Sequence, residues 1–124
     1  MRLIITLLLS VSLYSQEIIT QDNFNQKLEK DIVVVEFYAE WNKDNCVDLK
    51  EFKDVSTYMV NIDNSPDLKS AYNIISIPTI IVFNNKEVAY KFEADLTFKL
   101  SLKEPKKKVE ELCNYACIKK LYSS

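Results

Sequence analysis

Hydrophobic positions along this chain change their spacing several times, and each change marks an element. Glu17 to Thr20 alternates briefly and predicts a short strand. Phe24 and Leu28 share one helical face in a helix running to about Lys30, with Thr20 or Asp22 placed to cap it. Ile32 to Trp41 (IVVVEFYAEW) is β-branched and aromatic, and its first residues are apolar at every position. That pattern suits a central strand covered on both sides. A helix is predicted from about Asp44 to Lys53, with Leu49 and Phe52 inward, and a strand from Val55 to Ile62. Ser65 caps a short helix that has Pro66 in its first position, with Leu68, Ala71 and Tyr72 facing the core. Thr79–Phe83 and Lys86–Phe92 read as a hairpin across Asn84-Asn85, a pair able to hold a type I′ turn. A last helix begins near Pro105 and runs to about Leu121. The order β-α-β-α-β-α-β-β-α predicts an α/β fold, a mixed central sheet with helices on both faces.

The first fifteen residues follow a different rule. MRLIITLLLSVSLYS places Arg2 before a short apolar run and offers small residues at Ser10, Ser12 and Ser15. Residues 1–15 therefore read as an export signal, residues 16–124 as one domain, and the expected location is periplasmic or secreted. The competing reading is a buried first strand or helix. The apolar run is too short to span a bilayer comfortably, and with the signal removed no membrane association is expected.

Composition narrows the chemistry. At 124 residues the chain has room for one domain, and 48% hydrophobic with 27% charged residues is ordinary for a globular one. A net charge of −2 gives no reason to expect a nucleic-acid partner. There is no histidine, which removes imidazole metal ligands and histidine-based acid–base or nucleophile pairs. There is no glycine, which removes any Gly-rich phosphate loop. Backbone positions that need positive φ must then fall to Asn or Asp. No cofactor and no metal site is implied.

Three local motifs, in order, carry a resemblance. Val35–Trp41 (VEFYAEW) resembles the thioredoxin strand that delivers the active-site tryptophan. Asn61-Ile62-Asp63, with Pro66 three residues on, looks like the family's third strand and turn. Tyr72–Phe83 (YNIISIPTIIVF) is similar to the family's cis-proline segment, and Glu87-Val88 follows as the return strand would. The resemblance covers roughly residues 17–121 and implies a thioredoxin-like fold. It also implies redox chemistry through Cys-Gly-Pro-Cys directly after the tryptophan. Here the chain reads Trp41-Asn42-Lys43-Asp44-Asn45-Cys46, so the family's two cysteines fall on Asn42 and Asn45. A one-residue insertion would align Cys46 with the second cysteine, and nothing restores the first. Dithiol–disulfide exchange needs one thiolate to attack and another to resolve. Three family glycines are replaced as well, by Asn73, Ser76 and Lys86.

Each candidate residue carries two readings. Cys46, in the first turn of the predicted helix, is either a thiol with lowered pKa that forms mixed disulfides or a small, partly buried apolar residue. The resemblance implies a cis bond at Ile77–Pro78, with Ile77 offering backbone hydrogen bonds to an extended peptide. The bland alternative is a turn that only defines the fold. The resemblance also places Trp41 and Tyr72 at this end, where they either wall a partner site or fill space. Glu36 stands where thioredoxins often bury an Asp. Burial would raise its pKa, and without a cysteine pair it is either a relic or long enough to reach solvent. Cys113 and Cys117, four apart with Val109, Leu112 and Ala116 on one stripe, read as small core thiols. In an oxidising compartment a helix-internal disulfide between them is the alternative. Cys46 is expected to pair with neither.

The functional expectation is an exported thioredoxin-like module that binds an extended peptide or protein at the cis-proline end without dithiol chemistry. Its rivals are a single-cysteine oxidoreductase or isomerase working through Cys46 and a purely structural subunit.

Overall fold

The computed structural model describes residues 17–122; the predicted export signal, residues 1–15, lies outside them. Five strands form one sheet in the order β1-β3-β2-β4-β5: β1 (Ile18–Ile19), β2 (Ile32–Tyr38), β3 (Ser56–Asn61), β4 (Thr79–Asn84) and β5 (Glu87–Glu93). β3 pairs parallel with β1 and β2, while β4 runs antiparallel to β2 and β5. Every residue of β2 is buried, as a strand flanked on both edges and covered on both faces must be.

The alternation along β2 divides the core in two. Val33, Val35 and Phe37 face α1 (Phe24–Lys27) and α2 (Pro66–Ala71), and pack with Phe24, Leu28, Leu68 and Phe83. Ile32 and Val34 face the other way, toward Leu49, Phe52 and Val109 of α3 (Lys103–Tyr122). Helices therefore lie on both faces, as the periodicity predicted.

Several boundaries differ from expectation. The predicted helix over 44–53 is absent. Two 3₁₀ turns, Glu40–Asn45 and Leu49–Glu51, flank a stretch in which Cys46 is extended at φ −61°, ψ 144°. Side chains divert the backbone groups an α-helix would use. The Val47 N–H donates to Glu36 Oε2 at 2.9 Å instead of to a carbonyl one turn back. Asp48 accepts from the Lys50 N–H at 3.0 Å and restarts a turn. Leu49 and Phe52 are nevertheless buried. The hairpin turns one residue later than predicted, at Asn85-Lys86, because Asn84 pairs with Glu87. The Ser65 hydroxyl accepts from the Gln21 N–H and caps nothing, and Ala71 is exposed. On α3 Val109 is buried, Cys113 half-buried and Cys117 exposed, so Cys117 is no core thiol.

In a chain without glycine, five of the described residues take positive φ: Asp54, Asn73, Asn85, Lys86 and Phe98. Three are the Asn or Asp expected. At Asn85-Lys86 both central residues are left-handed, at 54° and 72°, as a two-residue hairpin loop requires. Phe98, at 62°, is held by its loop. Asp95 Oδ1 accepts from the Thr97 N–H (2.8 Å), its hydroxyl, and the Lys99 N–H (3.3 Å). Those donors, led by Thr97, hold the Asp95 carboxyl below its ordinary range.

Candidate functional site

The C-terminal end of β2 and the N-terminal end of β4 meet where the chain turns after Tyr38. Trp41 is 67% exposed in the first 3₁₀ turn, and Phe98 meets its ring edge-on with centroids 5.3 Å apart. Opposite, the Ile77–Pro78 peptide bond is cis, and both residues are buried. Ile75, 78% exposed, and Leu96, 99% exposed, stand on the neighbouring loops. Tyr72 does not join the exposed ring. It packs inward against Phe24, Phe37 and Phe83, and burial raises its pKa.

Asn42 is the residue that joins the two loops. It is 5% exposed, and its Nδ2 donates to the Ile77 carbonyl at 3.0 Å. Its Oδ1 in turn accepts from Asn45 Nδ2 at 2.8 Å. Asn42 and Asn45 are thus bridged at i, i+3 by a hydrogen bond between carboxamides. The carbonyls on either side of Ile77 are engaged too. Ser76 C=O accepts from the Thr79 hydroxyl, and Pro78 C=O from the Ala94 N–H at 3.1 Å.

Cys46 sits beneath this surface, half-buried and beside Glu36. Glu36 is fully buried, Oε2 accepts from Val47, and Oε1 has no hydrogen-bond partner. Burial pushes its pKa up to about 7, against the opposing pull of the Val47 N–H and the Cys46 thiol. The thiol itself is pushed up to about 12 by burial and then by the negative charge of Glu36, with Lys43 opposing. The expected lowering at a helix N-terminus is therefore reversed: there is no helix at Cys46 to supply it, and Glu36 does not reach solvent. All three cysteines are unpaired, and Cys113 is also pushed up, by burial. Among the described residues no three His, Cys, Asp or Glu side chains gather to hold a metal ion.

The sequence singled out Glu36, Trp41, Cys46, Ile77 and Pro78, and the fold brings them to one end of the sheet. It did not single out the bridging role of Asn42 and Asn45, or Phe98. The Asp95-x-Thr97 spacing signals an Asx turn, but that Phe98 meets Trp41 depends on where two distant loops land.

A mixed five-stranded sheet with a cis proline opposite the turn after a tryptophan defines an α/β domain of the thioredoxin-like class. The chain belongs to the thioredoxin family, whose model matches residues 15–104. It is similar to the thioredoxin of Buchnera aphidicola, 36% identical over 69% of this chain and 88% of that protein. It is also similar to that of Mycoplasma genitalium, 39% identical over 43% of this chain. In that case the match spans 59% of the relative's length. The solved Plasmodium falciparum thioredoxin superposes with a TM-score of 0.60, covering 77% of this chain and 97% of that one. At 20% identity that likeness shows the fold alone.

Proposed function

We propose that this chain is an exported thioredoxin-family module whose dithiol site has been replaced. It binds an extended peptide or protein at the cis-proline end, as a non-catalytic or chaperone-like partner in thiol–disulfide homeostasis. The observation that carries this is the Asn42–Asn45 carboxamide bridge after Trp41. Carboxamides can neither attack a disulfide nor resolve one, and the nearby thiol is held protonated at neutral pH. The binding surface is the exposed apolar ring of Trp41, Ile75, Leu96 and Phe98. Because the carbonyls of Ser76, Ile77 and Pro78 are already engaged, side-chain contacts contribute more than strand addition at Ile77. Export rests on residues 1–15 and is tested by mass spectrometry of protein from the native host, which should find a start between about Val11 and Glu17. Recovery of the intact chain from the cytoplasm would contradict it. The central test is insulin reduction with dithiothreitol. The wild-type protein should show no turnover above the uncatalysed rate; a thioredoxin-like rate that disappears in Cys46→Ser would refute the reading.

A second reading is favoured by one observation, the Glu36 carboxylate with an unpartnered oxygen beside the Cys46 thiol. It suits thiol–disulfide exchange, the chemistry that the relatives' name, thioredoxin, suggests. Glu36 would take the thiol proton, and the thiolate would attack a disulfide sulfur and release the other sulfur as a thiol. A small external thiol would then resolve the mixed disulfide. The two readings part at Glu36→Gln. If Glu36 is a base, the substitution slows reaction of Cys46. If Glu36 only holds the thiol protonated, the substitution speeds it.

A further inference from the structure

We propose that Asn42 is the positioning residue of the docking face: its carboxamide, steadied by Asn45, anchors the Trp41 turn to the Ile77 carbonyl and fixes that face independently of redox state. This rests on the binding reading above and specifies how the site is held.

Four observations converge on it. The Asn42 side chain is almost wholly buried between the two loops, although a carboxamide is costly to bury unless its groups are paired. Here its donor goes to Ile77 and its acceptor to Asn45. Asn42 also has non-helical backbone angles within its 3₁₀ turn, φ −111° and ψ 17°, and its side chain reaches the other loop at Ile77. Ile77 lies in the segment that the Thr79 hydroxyl and the Ala94 N–H hold at the adjoining carbonyls. Ala94 begins the loop that presents Leu96 and Phe98, and Phe98 closes the circuit by meeting Trp41. Trp41 adjoins Asn42 in sequence, so the hydrogen bond from Asn42 ties the Trp41 turn to the cis-proline segment, as the Ala94 N–H ties the Phe98 loop. Every link is a hydrogen bond or a ring contact, and none requires a thiol.

The test removes the donor in a background without the nearby thiol, so variants are made in a Cys46→Ser parent. Binding is read by Trp41 fluorescence, the single tryptophan, against reduced, carboxamidomethylated ribonuclease A, a permanently unfolded, thiol-blocked chain. The parent and the wild type should bind the probe equally with and without reductant. Asn42→Ala and Asn42→Asp, which both lack the Nδ2 donor to the Ile77 carbonyl, should bind at least 10-fold more weakly in either condition. Asn45→Ala, which leaves that donor in place, should bind within about 3-fold of the parent. An Asn42 variant that binds as tightly as the parent, or wild-type binding that changes with reductant, overturns the proposal.

If the parent does not bind the probe, the binding reading fails, and hydrogen exchange judges the anchor by itself. Amide exchange at Ala94 and across residues 74–79 should then be at least 10-fold faster in Asn42→Ala than in the parent. Unchanged exchange there overturns the anchoring role.

Discussion

The cis-proline segment and the stretch after Trp41 face each other, yet they are built by different forces. From Thr79 onward the former becomes β4, and five of its six residues are buried between β2 and β5. Its conformation follows from apolar burial and a backbone ladder, both of which leave a pattern in sequence. The stretch from Asn42 to Glu51 takes its shape from side chains that engage backbone groups: Glu36 accepts from the Val47 N–H, Asp48 accepts from the Lys50 N–H, and Asn42 donates to the Ile77 carbonyl. Leu49 and Phe52 keep the apolar spacing of a helix there, and the helix does not form. A period read from hydrophobic positions reports which residues face the core, and it reports backbone conformation only where no side chain competes for the amides.

The largest effect should come from the ladder-built side. Phe37→Ala removes a fully buried ring that meets Phe24 and Tyr72, and should cost about 3–5 kcal/mol in urea unfolding. A loss below about 1 kcal/mol would mean that β2 is not the centre of the core.

Next comes Glu36, where the two regions touch. Its folded pKa, about 7, lies above its ordinary value of 4.5. The native state therefore binds the proton more tightly than the unfolded chain. Its contribution is fully present below about pH 4.5 and is lost as pH rises through about 7, amounting to roughly 3 kcal/mol. Glu36→Gln should abolish that fall, so the variant gains on the wild type as pH rises from 5 to 8. Chemical denaturation at several pH values decides it, and parallel pH profiles for the two proteins would contradict the buried carboxyl.

The smallest effect tests the glycine-free turns. Lys86→Gly places the tolerant residue at φ 72° and should stabilise the hairpin by on the order of 0.5–1 kcal/mol. Destabilisation would mean that the Lys86 side chain contributes more than its backbone angle costs.

These differences explain what was legible. The existence of β2 and β4 and the two-sided burial of β2 follow from runs such as IVVVEF and TIIVF, which are apolar at nearly every position. The placement of Glu36, Trp41, Cys46, Ile77 and Pro78 at one end follows from strand ends and turns at known positions. The carboxamide bridge was not legible, because two asparagines after a tryptophan look like any polar turn until Ile77 is beside them. Of the two readings of Cys46, the thiol of lowered pKa fails for a related reason. Its expected helix fails, so the dipole that would favour a thiolate is missing, and burial first and the Glu36 carboxylate second raise the pKa instead.

The pH dependence of Cys46 alkylation tests the central claim most directly, measured by peptide mass mapping on the folded protein. With the thiol held near 12, Cys46 should stay largely unmodified through pH 9, after exposed Cys117 has reacted, and Glu36→Gln should speed its modification by roughly 10-fold or more. Rapid alkylation of wild-type Cys46 at pH 7, slowed by Glu36→Gln, would show a working thiol with its base, and would contradict the account of a site that has given up thiol chemistry.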